Sequence, residues 1–145
     1  MARVTVVNDY PEFIETMYAI LDGVGGHQVA GFNGEETTLE QIVRSDPELL
    51  IVDLRIAGDD MRGWDTLMLA RADERLRGVP LVVCSADIDT LRARADEFRQ
   101  VAYTYTLEKP FSVDELMGVV AEALAGKASG GVPPLSDTPP DVAAP

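Results

Sequence analysis

Apolar positions along the chain fall into two alternating kinds of stretch. Short runs with little polar alternation occur at Arg3–Val7, His27–Phe32, Leu49–Val52 and Leu81–Cys84, and a looser one spans Val101–Leu107. Such runs, several of them rich in β-branched residues, read as strands covered on both faces. Between them apolar residues recur at helical spacing. Phe13, Ile14, Met17, Ile20, Leu21 and Val24 mark a first helix, Leu39, Ile42 and Val43 a second, and Trp64, Leu67, Met68 and Leu76 a third. Leu91, Ala95 and Phe98 suggest a fourth, and Val113, Leu116, Val119, Val120 and Leu124 a last. Pro11 suits a first helical turn, Gly23, Gly25 and Gly26 close that helix, and Ser112-Val113-Asp114-Glu115 has the form of a capping box. Five strands alternating with five helices predict an α/β domain: a parallel sheet, doubly wound, with helices on both faces.

That architecture gives the polar residues after the strands a shared address. Asn8-Asp9, Asp53, Ser85 and Lys109 each follow an apolar run. In a parallel sheet all of them lie along the carboxyl edge, where ligands bind. Asp53 is the candidate reactive group. Alone, an aspartate after a strand is more often a turn former. Two carboxylates beside a hydroxyl and an ammonium say more, because neighbouring carboxylates repel and a hard, oxygen-ligated cation such as Mg²⁺ relieves the repulsion. A lysine and a cation at one aspartate suit a phosphoryl group, whose charge is spread over its oxygens, and the carboxylate can itself be the nucleophile.

Composition narrows the field. The 145 residues, 46% hydrophobic, fit one domain with a full core. No run is long enough to span a bilayer, and Met1-Ala2-Arg3 enters a strand without a signal-peptide core, so the expected location is cytoplasmic. Acidic residues outnumber basic ones by 25 to 12, a formal charge of −13, which argues against direct nucleic-acid binding; no membrane partner is expected either. One histidine and one cysteine make no zinc site; Cys84 reads as an inert core thiol, and His27, at the far end of the sheet from Asp53, as solvated. Residues 126–145 are rich in Pro, Gly, Ala and Ser and are expected to form a flexible tail after a domain of residues 1–125, with no output domain following.

From about Arg3 to Leu124 the chain resembles the receiver domain of two-component response regulators, in its stand-alone form. The resemblance implies the flavodoxin-like strand order 2-1-3-4-5. It implies that Asp53 accepts a phosphoryl group from a sensor histidine kinase or a histidine phosphotransfer protein, and that Asp9 and Asp53 hold Mg²⁺ with the backbone carbonyl of Arg55. Asn8 would meet the cation through water. Ser85 would be the switch hydroxyl, Ala86 would offer its backbone to the phosphoryl group, and Lys109 would pair with it ahead of a cis Pro110. The protein is then a phosphoacceptor signalling protein and no enzyme in the usual sense. A downstream protein would read the face of the fourth helix, fifth strand and last helix, with Tyr103, Tyr105 and Phe111. The surface at Tyr10, Phe13, Ile14 and Met17 is a candidate kinase contact, although core burial is the expected fate of most of them. A homodimer is compatible with the sequence.

Three features depart from the family pattern. Asn8 stands where the first of two acids is usual, and Thr106 where an aromatic switch residue is usual. The loop after Asp53 is longer than usual before Gly63, with Ala57 in place of a common proline and with Asp59-Asp60 inside it. Asn8 and Thr106 motivate an alternative, an atypical or pseudo-receiver that binds partners without phosphorylation. Haloacid-dehalogenase-like phosphatases also use a strand-end aspartate, but need an acid two residues later, where this chain has Arg55.

Overall fold

The computed structural model describes residues 2–33, 38–53, 62–86, 89, 93 and 104–128. These residues form β1 (Arg3–Asn8), α1 (Pro11–Met17, continuing as a π-helix over Tyr18–Val24), β2 (Gln28–Asn33), α2 (Leu39–Arg44) and β3 (Leu49–Asp53). They go on to form α3 (Arg62–Ala72), β4 (Leu81–Ser85), β5 (Thr104–Glu108) and α4 (Val113–Ala128). The sheet has the order β2-β1-β3-β4-β5 and every pairing is parallel. This is the doubly wound parallel sheet predicted from the strand–helix alternation, in the flavodoxin-like order that the family resemblance implies.

The unbroken apolar runs of β3 and β4 follow from their central position, since every residue of both is buried. Successive side chains feed two different cores. Leu50, Val52, Leu81 and Val83 pack with Ile42 of α2 and with Leu67 and Ala70 of α3. Leu49, Ile51, Val82 and Cys84 pack on the other face with Met17 and Leu21 of α1 and with Leu116, Val120 and Ala123 of α4.

Short-range chemistry sets the helix ends. Thr38 and Gln41 form a capping box on α2. On α4 the Ser112 hydroxyl accepts the Glu115 N–H at 3.0 Å and Glu115 Oε1 accepts the Ser112 N–H at 2.8 Å. α1 has no side-chain cap; it starts on Pro11 and Glu12, with the Tyr10 carbonyl accepting the Phe13 and Ile14 N–H groups.

The π segment is a departure from the single amphipathic helix predicted over Pro11–Val24. The Gly25 N–H reaches back five residues to the Ile20 carbonyl at 3.0 Å. The wider turn rotates the apolar stripe, so Met17 and Leu21 are fully buried while Val24 is 71% exposed. Gly26, at φ +70°, then turns the chain into β2. α4 continues through Ala128, past Gly126. The helix expected around Leu91, Ala95 and Phe98, residues 101–103 of the expected fifth strand, the loop with Arg55, Ala57 and Asp59-Asp60, and residues 129–145 all lie outside the described residues. Among the described residues, no helix is long and apolar enough to cross a membrane.

His27 corrects one expectation. It is part-buried, and its Nδ1 accepts the Ala2 N–H at 3.0 Å, because β1 and β2 start side by side. Burial first, and the positive N-terminus second, hold its pKa below the ordinary 6.5. The folded chain therefore favours neutral His27; the resulting stability is present above pH 6.5 and is lost as pH falls below it. Thermal midpoints should drop between pH 7.5 and pH 5.5, a window above most carboxylate titrations, and His27→Gln should flatten that drop. An identical slope in the variant would remove His27 as its source.

Candidate functional site

Parallel register brings the strand-end polar residues together. Val7 pairs with Val52, so the next residues, Asn8 and Asp53, stand side by side. Asn8 Nδ2 donates to Asp53 Oδ2 at 2.9 Å. The amide can face only one way, because Asn8 Oδ1 accepts the Tyr10 N–H at 2.8 Å and the NH₂ end is what suits a carboxylate. Asp53 is level with Cys84, Ser85 comes next and pairs with Glu108, and Lys109 follows. The Lys109 N–H donates to the Ser85 carbonyl at 2.9 Å, and the Lys109–Pro110 bond is cis. The Lys109 ammonium forms an ion pair with Asp53 Oδ2. It also lies 4.2 Å from the centroid of the Phe13 ring.

Electrostatics explain why these partners are needed. Asp53 is only 5% exposed, and an ionised carboxylate buried to that degree is costly without a counter-charge. Lys109 supplies the charge and Asn8 a second donor, both on the same oxygen. An acid at position 8 would put a like charge there instead. Cys84, fully buried beside Asp53 on β4, has its thiol pushed up to about 12, chiefly by burial, with Lys109 opposing and Asp53 reinforcing the rise. At neutral pH it is no nucleophile.

The donor set fits a hard cation. Asp9, whose Oδ1 is shielded from solvent, and Asp53 offer carboxylate oxygens only. Among the described residues no group of three His, Cys, Asp or Glu side chains is arranged to hold a metal. Two carboxylates are few for Ca²⁺, but suit Mg²⁺, which keeps several of its waters. The Arg55 carbonyl lies outside the described residues. Asn8 forms a direct bond to Asp53.

The remaining candidates are spread around this centre. Ser85 is buried and Ala86 exposed at the end of β4. Thr106 is exposed and borders an open groove of about 520 Å³ together with Glu108, Asp114 and Glu122. Tyr105 points the opposite way; it is 6% exposed, packs in the α1–α4 core and directs its hydroxyl toward the Glu122 carbonyl at 3.5 Å. It is therefore not part of a partner-reading surface, which corrects the sequence expectation, and Tyr103 lies outside the described residues. On α1, Met17 is fully buried, Phe13 and Ile14 are half-buried, and Tyr10 is 62% exposed. The sequence reading assigned Phe13 to core or docking and missed its contact with Lys109. The signal was available in principle: α1 begins just after Asp9, so its first turn lies over the carboxyl edge of the sheet.

Residues 4–121 match the response regulator receiver domain family, and the chain belongs to that family. Over 122 residues, 83% of the chain, it is 31% identical to the sensory/regulatory protein RpfC of Xanthomonas campestris pv. campestris. That stretch spans 16% of RpfC. Among solved structures, a putative response regulator from Chloroflexus aurantiacus is 29% identical with a TM-score of 0.71, over 86% of this chain and 98% of that one. A sensor protein from Polaromonas sp. JS666 has a TM-score of 0.74 at 24% identity, over 87% of this chain and 98% of that one, a likeness of fold.

The substitution Asn8→Asp tests the site's charge balance. It keeps an acceptor for the Tyr10 N–H but replaces the donor to Asp53 with a like charge. In EDTA the variant should be less stable than wild type by about 1–3 kcal/mol in urea unfolding, the usual cost of turning a buried bond into an unpaired contact. Mg²⁺ should then raise the variant's stability more than wild type's. A variant as stable as wild type in EDTA would refute this account of Asn8.

Proposed function

We propose that Asp53 takes a phosphoryl group from the phosphohistidine of a histidine kinase or histidine phosphotransfer protein, in a Mg²⁺-dependent reaction, and that the domain passes the change to a protein partner. The observation that carries this reading is the buried Asp53 carboxylate paired to the Lys109 ammonium at the carboxyl edge of the sheet. Receiver domains are signalling proteins that exchange phosphoryl groups with such histidine proteins and act on effectors. Family membership supports the same roles here.

In the transfer, an Asp53 carboxylate oxygen attacks phosphorus; the P–O bond forms as the P–N bond breaks, and the electron pair leaves with the imidazole nitrogen. Lys109 then exchanges Asp53 for a phosphoryl oxygen, the Ser85 hydroxyl and the Ala86 N–H bond others, and later hydrolysis returns the free carboxylate. Asp9 and Asp53, with the Arg55 carbonyl, are the residues that would hold Mg²⁺. When bound, the cation supplies positive charge against the phosphoryl oxygens. With Thr106 at the usual aromatic position, coupling to a partner runs through a small exposed hydroxyl side chain. Residues 1–125 make up the domain in this reading, with the segment from 126 onward as an appendage whose first residues extend α4.

One observation favours a second reading, a partner-binding module that is never phosphorylated. Asn8 leaves the site one acid short of the family pattern and already satisfies Asp53 Oδ2. Incubation with acetyl phosphate and Mg²⁺ followed by intact-mass measurement separates the two. Wild type should gain one phosphoryl group and Asp53→Ala none; no gain in wild type selects the second reading. Beryllofluoride should in turn shift amide resonances at Ser85, Ala86 and along β5. A response confined to the neighbours of Asp53 would sink the signalling half of the proposal.

A further inference from the structure

Phosphotransfer to Asp53 would require one side chain to do two things in succession. The Lys109 ammonium neutralises Asp53 before transfer and pairs with a phosphoryl oxygen after it. A flexible four-carbon stem makes that exchange quickly only if its head stays near the site when Asp53 Oδ2 is given up. The first turn of α1 supplies the means.

We propose that Phe13 is a positioning residue for Lys109, holding the ammonium over the phosphoacceptor site through the face of its ring. The ammonium is 4.2 Å from the ring centroid, well within cation–π range. The ring attracts the charge through its quadrupole and takes up no particular N–H direction, so the three donors of Lys109 remain available to oxygen. One further contact fixes the ring, and another seats its helix. Phe111, just past Pro110, meets it edge-on, with centroids 6.2 Å apart and planes at 85°. On the other side, a Cβ placed on Gly31 of β2 would lie 2.3 Å from Ile14 Cγ2. Ile14 therefore occupies the space that the missing side chain leaves, which seats α1, the helix that carries Phe13, against β2. The contact itself stands on geometry; its consequence for rate rests on the phosphotransfer reading.

The chain has two lysines, Lys109 and Lys127, so the ammonium resonances of lysine-labelled full-length protein are easily assigned, with Lys109→Arg removing one signal. Protons over a ring face are shielded. The Lys109 signal should lie upfield in wild type and in Phe13→Tyr, move downfield in Phe13→Leu, and move part of the way in Gly31→Ala, with melting curves establishing that each variant is folded. The initial rate of phosphoryl gain from acetyl phosphate should fall roughly 2- to 10-fold in Phe13→Leu, the weight of one cation–π contact, and recover in Phe13→Tyr. An unmoved Lys109 signal in Phe13→Leu overturns the contact. A moved signal with an unchanged rate overturns the positioning role. Wild type that gains no phosphoryl group defeats the phosphotransfer reading and the positioning role with it, while the resonance still reports separately on the contact.

Discussion

The ion pair between Lys109 and Asp53 is the constraint around which the site is arranged. It joins residues 56 positions apart, and it does so where the carboxylate side chain retains only 6% of its exposure. A charge placed there needs a counter-charge, and the counter-charge must come from a strand that is not a direct neighbour of β3. The order β3-β4-β5 brings it within reach, with the Lys109 N–H tied to the Ser85 carbonyl on the intervening strand. The topology and the chemistry are thus one arrangement: a parallel sheet whose carboxyl edge collects an amide, an acid, a hydroxyl and an ammonium from four strands.

What could be read from the chain alone was whatever burial on both faces imposes. β3 and β4 have no solvated side, so their sequences are continuous apolar runs, and the strand-end residues stand out sharply against them. The capping boxes on α2 and α4 depend on neighbours three residues apart, and the one at Ser112–Glu115 is identified from the sequence. Features that depend on contacts between distant elements were harder to see. The π segment gives no local sign, because Val24 fits an α-helical stripe until the wider turn carries it outward. His27 looked solvated because its partner is the backbone of the second residue. Phe13 has the spacing of a core residue, and only the placement of its helix over the sheet edge turns it toward Lys109.

Two of the departures from the family pattern, Asn8 and Thr106, have different physical weight. Asn8 changes the electrostatics of the site directly: it replaces a like charge beside Asp53 with a donor, and its orientation is fixed by Tyr10. Thr106 changes how a signal would leave the site. Strand pleating puts Thr106 and Tyr105 on opposite faces, so the buried Tyr105 ring belongs to the core under α4 and is not an alternative position of the missing aromatic. Position 106 thus carries a small side chain at the rim of an open groove with acidic walls.

The fully enclosed Cys84 has a practical corollary. A thiol whose titration is pushed up to about 12 holds almost no thiolate at neutral pH and offers reagents no access. The native chain is thus a ready-made background for single-cysteine spectroscopy. A fluorophore or spin label attached to a cysteine introduced at the surface would report from that point alone, without first mutating a residue that borders Asp53.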